Sequence, residues 1–240
     1  MPVLRRLLYA ALCAGLLSGV VATVAHLIGT VPLILEAETY EHAAEPATAQ
    51  PPASAAAAAP APAHQHAAEA WAPEDGIERA AYTLAADLLT GIGFALLLAA
   101  GITLRGGDVT WREGLFWGLA GFVTFTLAPG LGLPPDIPGN TAGPLLARQV
   151  WWVAAAASTG GALALLLFTK RPVYAVLAAG LILLPHLYGA PSPPAEAAAA
   201  APEALAHRFA IAATLVSFMF WAALGASTGY FYRRFAPNPG

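Results

Sequence analysis

LLYAALCAGLLSGVVATVAHLIGTVPLILEAETYEH, Leu7–His42, is the stretch that decides the fold. From Leu7 to Leu35 it carries no Asp, Glu, Lys or Arg, and then it ends in Glu36, Glu38, Glu41 and His42. An apolar run longer than the roughly 20 residues a membrane crossing needs therefore opens directly into carboxylates and an imidazole. Such groups ligate divalent first-row cations. The stretch is expected to be a membrane span that delivers cation ligands to one face of a bilayer.

The composition agrees. Of 240 residues, 58% are hydrophobic and 10% charged, with mean hydropathy +0.63. Soluble domains are about a quarter charged. An integral membrane protein is expected. Net charge −3 with 11 thinly spread basic residues excludes nucleic acid as a partner, because that needs a concentrated basic patch. The single cysteine, Cys13, can form neither an internal disulfide nor a thiolate metal cage.

Six spans are expected: Leu7–Leu35, Ala80–Leu104, Gly114–Leu133, Gln149–Thr169, Pro172–Tyr188 and Phe209–Tyr232. Together they make one all-α transmembrane bundle over residues 1–240. Basic pairs lie in alternate loops: Arg5/Arg6, Arg105/Arg112, Lys170/Arg171 and Arg233/Arg234. The other side holds only Arg79, Arg148 and Arg208. The positive-inside rule then puts both termini in the cytoplasm. The expected setting is multi-pass in a bacterial inner (cytoplasmic) membrane. Thr23-Val24-Ala25 resembles a signal-peptide cleavage site, but the apolar run continues beyond it, so an uncleaved first span is expected. Cleavage would leave the other five spans oriented as stated.

Residues 43–73 are rich in Ala and Pro. That composition builds no core and favours a flexible outer loop; residues 190–204 are similar and shorter. The inner loops are short, and no glycine loop with its lysine is present to cradle phosphate. Energy for transport is therefore expected from an ion gradient, the membrane potential or a partner.

All six histidines fall in the outer half of this topology. On a helix continuing past Leu35, Glu38, His42 and Glu45 share a face. Glu36, Glu38 and His42 are candidate collecting ligands, with a solvated helix end as the alternative. Asp87 lies inside the second span, where a charge is costly and usually functional. Thr83 and Thr90 extend it into a polar stripe, and Thr23 and Thr30 do the same for His26. The two stripes are expected to face each other, either lining a path or bonding the helices together. His26, Asp87 and His186 are candidates for an inner metal station. His64, His66 and His207 are candidates for peripheral capture. Because such ligands must be deprotonated, binding is expected to weaken below about pH 6. Pro32, Pro129 and Pro185 lie near the outer ends of three spans and break helix there. The pairs Gly15/Gly19, Gly114/Gly118 and Gly225/Gly229 permit close helix packing.

Three segments taken together resemble a known family: PLILEAETYE (Pro32–Glu41), LPPDIPG (Leu133–Gly139) ahead of RQVWW (Arg148–Trp152), and LPHLYGAPSPP (Leu184–Pro194). They are similar to the CbtA-type predicted cobalt transporter subunits. The resemblance implies cobalt as the ion; ligand types alone do not separate it from nickel or zinc. It also implies a link to cobalamin biosynthesis and a small one-span partner of the CbtB type. It points to Glu36, Glu38, His186 and the LPPDIPG turn as functional. The expected activity is uptake of a divalent metal, Co2+, as cargo, with no resident cofactor and no catalysis. A homo-oligomer stays open. So do two alternatives: an accessory metal-binding membrane subunit, and a metal-dependent membrane enzyme.

Overall fold

A computed structural model describes residues 2–44, 73–138, 140, 142–169, 171–193 and 201–236. All regular structure among them is helical: α1 (Pro2–Gly29), α2 (Val31–Ala44), α3 (Ile77–Arg105), α4 (Trp111–Phe122), α5 (Leu145–Phe168), α6 (Pro172–Tyr188) and α7 (Glu203–Arg234). Helix α4 continues through a π-helical turn, Val123–Leu127, into a last helical turn, Ala128–Gly130. Among the described residues four helices are long and apolar enough to cross a membrane: Val3–Gly29, Ile77–Arg105, Leu145–Phe168 and Glu203–Arg234. The apolar α6 has 17 residues. His64, His66 and Glu45, with nearly all of the Ala/Pro-rich loop, lie outside the described residues.

The first expected span needs correction, because Leu7–Leu35 is not one helix. Helix α1 ends at Gly29 and α2 restarts at Val31. Pro32 has no amide hydrogen for the Ile28 carbonyl, so the ladder is interrupted there. The Thr30 carbonyl instead accepts the amides of Leu33 and Ile34, at 3.1 and 3.0 Å. The third span also shifts, since helix covers 111–130 where 114–133 was expected. A capping box explains its start: Thr110 Oγ1 accepts the Glu113 amide at 3.3 Å and Glu113 Oε2 accepts the Thr110 amide at 2.8 Å. Such a reciprocal pair satisfies two amides a helix start leaves free.

Glycines set the packing of the body. A Cβ on Gly15 would stand 2.5 Å from Ile92 Cα, and one on Gly19 would stand 2.8 Å from Leu88 Cα. These contacts lay α1 directly on α3. On the other side Gly114 and Gly118 meet Gly225 and Gly229, bringing α4 backbone to backbone with α7. The glycine pairs therefore serve packing, as expected from their spacing. Helices α1, α3, α4 and α7 form this body. Helices α5 and α6 pair with each other and lean on it chiefly through the π-helical turn of α4 and the turn after it. An aromatic cluster of Phe94, Phe125, Phe220 and Trp221 fills the middle. Above it, α2 is held by Leu33 and Ala37 against Ile137, Leu205 and Phe209.

Candidate functional site

Helix periodicity brings His26 on α1 and Asp87 on α3 to one cavity. It measures about 290 Å³ and is lined in part by Thr90, Thr126, Trp152 and Ser217. Asp87 lies about 15 Å along α3 from its first residue, at 1.5 Å per residue. Its side chain is 17% exposed, and that of His26 34%. His26 Nε2 stands 3.9 Å from Asp87 Oδ1. Thr23 Oγ1 donates to Asp87 Oδ2 at 2.8 Å. On the far side of the imidazole, Nδ1 lies 2.8 Å from Thr30 Oγ1. The two polar stripes thus face each other, and each chemically active group has a threonine behind it.

The floor of the cavity is aromatic. Phe125 stacks on Trp221 with ring centroids 5.7 Å apart and planes 5° from parallel, and Phe94 lies 4.7 Å from the same indole. Trp221 Nε1 donates to Thr126 Oγ1 at 3.3 Å. Phe94 is two turns beyond Asp87 on α3, about 10 Å deeper. A second, wider cavity of about 800 Å³ adjoins the first and shares Phe125, Thr126, Trp152 and Ser217 with it. Its rim carries Asp136 of the LPPDIPG turn, ion-paired to Arg148 at 3.2 Å. The wider volume forms a vestibule to the smaller pocket, with which it shares a wall.

The collecting group expected at the end of the first span is arranged differently. Helix α2 does continue past Leu35, but Glu36 and Glu38 face arginines. Arg79 donates to both oxygens of Glu38, at 2.8 and 3.3 Å, and also pairs with Asp75 at 2.7 Å. Glu36 lies 3.8 Å from Arg208. His42 and His207 are exposed. His186 is not brought to His26 and Asp87: its ring packs edge-on against Trp151 at 5.6 Å, beside Pro185, whose carbonyl accepts Trp151 Nε1–H at 3.1 Å. Among the described residues no three His, Cys, Asp or Glu side chains form a group that could hold a metal ion. Of the three residues expected at the inner station, His26 and Asp87 do come together, as a two-residue pair with hydroxyls around it.

The bidentate Glu38–Arg79 pair ties α2 to the start of α3. Both side chains are 25% exposed, so water and salt screen it. Glu38→Gln is expected to lower stability by only about 1 kcal/mol or less, read as a small shift in thermal unfolding in detergent. A much larger loss would mean that this tie holds the outer end of the bundle together.

Thr126, Trp152, Ser217 and Trp221 were not singled out as site residues from sequence. The available signal was Thr124-Phe125-Thr126, a polar interruption one turn before Pro129, and the tandem Trp151-Trp152.

A family described as "Probable cobalt transporter subunit (CbtA)" matches the chain over residues 4–233. No curated protein and no solved structure matches it.

Proposed function

The chain belongs to the CbtA family of probable cobalt transporter subunits, and from that premise we propose that it takes up a divalent metal ion, Co2+, from the outer face and passes it inward to supply cobalamin biosynthesis. The observation that carries this reading is the His26–Asp87 pair, contributed by two helices to one cavity inside the bundle. Imidazole nitrogen and carboxylate oxygen suit a first-row divalent cation. Ionisable groups placed inside membrane-spanning helices are costly and usually functional.

The proposed topology has six crossings with both termini cytoplasmic, following the basic residues. A hydrated ion enters the vestibule beside Asp136 and Arg148, loses part of its water, and binds between His26 and Asp87. Glu36 and Glu38 act as an acidic rim: held by Arg208 and Arg79, they draw cations without gripping them. His42, His64, His66 and His207 are peripheral capture groups. His186 braces Trp151 beside the vestibule and takes no direct part in the station. The stacked Phe94, Phe125 and Trp221 close the pocket toward the inner ends, so this is an outward-facing state that must rearrange to release the ion. The small one-span CbtB-type subunit is the proposed partner for that step, and a homo-oligomer is compatible with it.

Reconstitution in liposomes, with and without the small subunit, tests this. Radiolabelled Co2+ accumulating in the lumen is expected, with the partner raising the rate. Metal bound only at the outer surface in both preparations would replace the transport reading with that of an accessory metal-binding subunit. Turnover of an added substrate by purified protein would point to an enzyme instead.

A further inference from the structure

We infer that Thr30 is a positioning residue for the cation site, holding the His26 imidazole with its proton on Nδ1 so that Nε2 presents a bare lone pair to the space before Asp87. The inference rests on the proposed transport function for its purpose and on hydrogen-bond geometry for its content. Thr30 Oγ1 is 2.8 Å from His26 Nδ1 and 3.3 Å from the His26 carbonyl oxygen. A hydroxyl has one proton to donate and lone pairs to accept with. If Thr30 donates to the carbonyl one turn back, it accepts from Nδ1–H, and both contacts are hydrogen bonds, the one to the carbonyl long and weak at 3.3 Å. If it donates to Nδ1 instead, the carbonyl contact is lost and the imidazole proton moves to Nε2. That proton would then face the Asp87 carboxylate from 3.9 Å, beyond hydrogen-bond reach, with nothing to hold the two apart. The Nδ1–H arrangement makes two bonds where the other makes one, and it explains the gap.

The gap is slightly wide for the cargo as it stands. Two bonds of about 2.1 Å reach across it only at roughly 135°, so the two side chains would close by about 0.5 Å to reach a tetrahedral angle, with water as the remaining ligands. Metal-ligating histidines commonly donate their other N–H to an oxygen that fixes tautomer and orientation. Thr30 fills that place, and the chain fixes Thr30 in turn. It is 2% exposed at the break between α1 and α2. Its amide donates to the His26 carbonyl at 3.0 Å, while its own carbonyl accepts two amides of α2. Thr30 keeps the regular i→i−4 amide bond of α1, so helical spacing itself sets its hydroxyl beside the imidazole one turn back. Thr23 does the matching task for Asp87.

The test uses the full chain, purified in detergent with 15N-labelled histidine. Nitrogen resonances of His26, assigned by their loss in His26→Gln, report which ring nitrogen carries the proton before any metal is added. The wild type is expected in the Nδ1–H form. Thr30→Val, which keeps the shape and removes the hydroxyl, is expected to lose that preference and to weaken Co2+ binding about 10- to 100-fold. Thr30→Ser is expected to restore both, which separates the hydroxyl's effect from any damage by valine. A proton on Nε2 in the wild type, or an unchanged resonance pattern in Thr30→Val, overturns the inference. A correct tautomer in a wild type that binds no Co2+ leaves the geometry standing and overturns the cation reading of the site.

Discussion

Asp87→Asn is expected to reduce cobalt uptake more than about 100-fold, because changes even to groups behind metal ligands cost 10- to 100-fold. Asp87 supplies the one carboxylate among the described residues lining the inner cavity. The substitution keeps shape and leaves an amide oxygen for the Thr23 hydroxyl, now 2.8 Å from the carboxylate. The fold should therefore survive while the charge that replaces lost water around the cation disappears. Uptake of radiolabelled Co2+ by cells, normalised to protein in the membrane, is the measurement. Wild-type uptake in Asp87→Asn would reduce Asp87 to an interhelical tie and remove the station from the mechanism.

The second large effect concerns assembly. Gly118→Val is expected to destabilise the protein by about 3 kcal/mol or more, seen as loss of the monodisperse peak and of cooperative thermal unfolding in detergent. A Cβ on Gly118 would lie 2.8 Å from Gly225 Cα, and one on Gly225 would lie 2.6 Å from Gly118 Cα. Both neighbours are backbone, which cannot rotate away as a side chain can. Gly93→Ala is the matching control. Nothing lies within 4 Å of the added atom, and alanine in a helix interior costs less chain entropy than glycine. That variant is expected to fold at least as well as wild type. Equal stability of the two variants would show that the α4–α7 seam is looser than drawn.

The α4–α7 glycine seam was legible because both partners carry the same four-residue spacing, and spacing is what a helix converts into a face; on the α1–α3 seam only Gly15 and Gly19 carry it, and α3 meets them with Gly91 and the backbone of Leu88 and Ile92. The meeting of the His26 and Asp87 stripes was legible for the same reason: each is a local periodic pattern on an apolar helix. The pairing of Glu38 with Arg79, and of Glu36 with Arg208, was not. Those partners are separated by a long loop or by most of the chain, and nothing local marks which arginine an acid will meet. His186 was placed with His26 and Asp87 because all three occupy the outer half. Position along each helix was readable, but position around the bundle axis was not, since it depends on how α5 and α6 dock against the body. The break at Thr30 was obscured because apolar residues continue on both sides of it. Pro32 marked it, yet proline near a helix end reads equally as a terminus.

One consequence belongs to the lipid. As the fifth crossing of the proposed topology, α6 has 17 residues, about 25 Å of helix against a hydrocarbon layer of about 30 Å. The bilayer beside it must dimple, or α6 must draw flanking polar groups inward, at a cost of a fraction of a kcal/mol per ångström. The helix paired with α6 is α5, whose Arg148 and Trp152 line the vestibule. Local thinning there would bring the aqueous phase closer to the pocket and shorten the dry part of the ion's route. Turnover in vesicles of graded acyl-chain length would then peak in the thinner membranes.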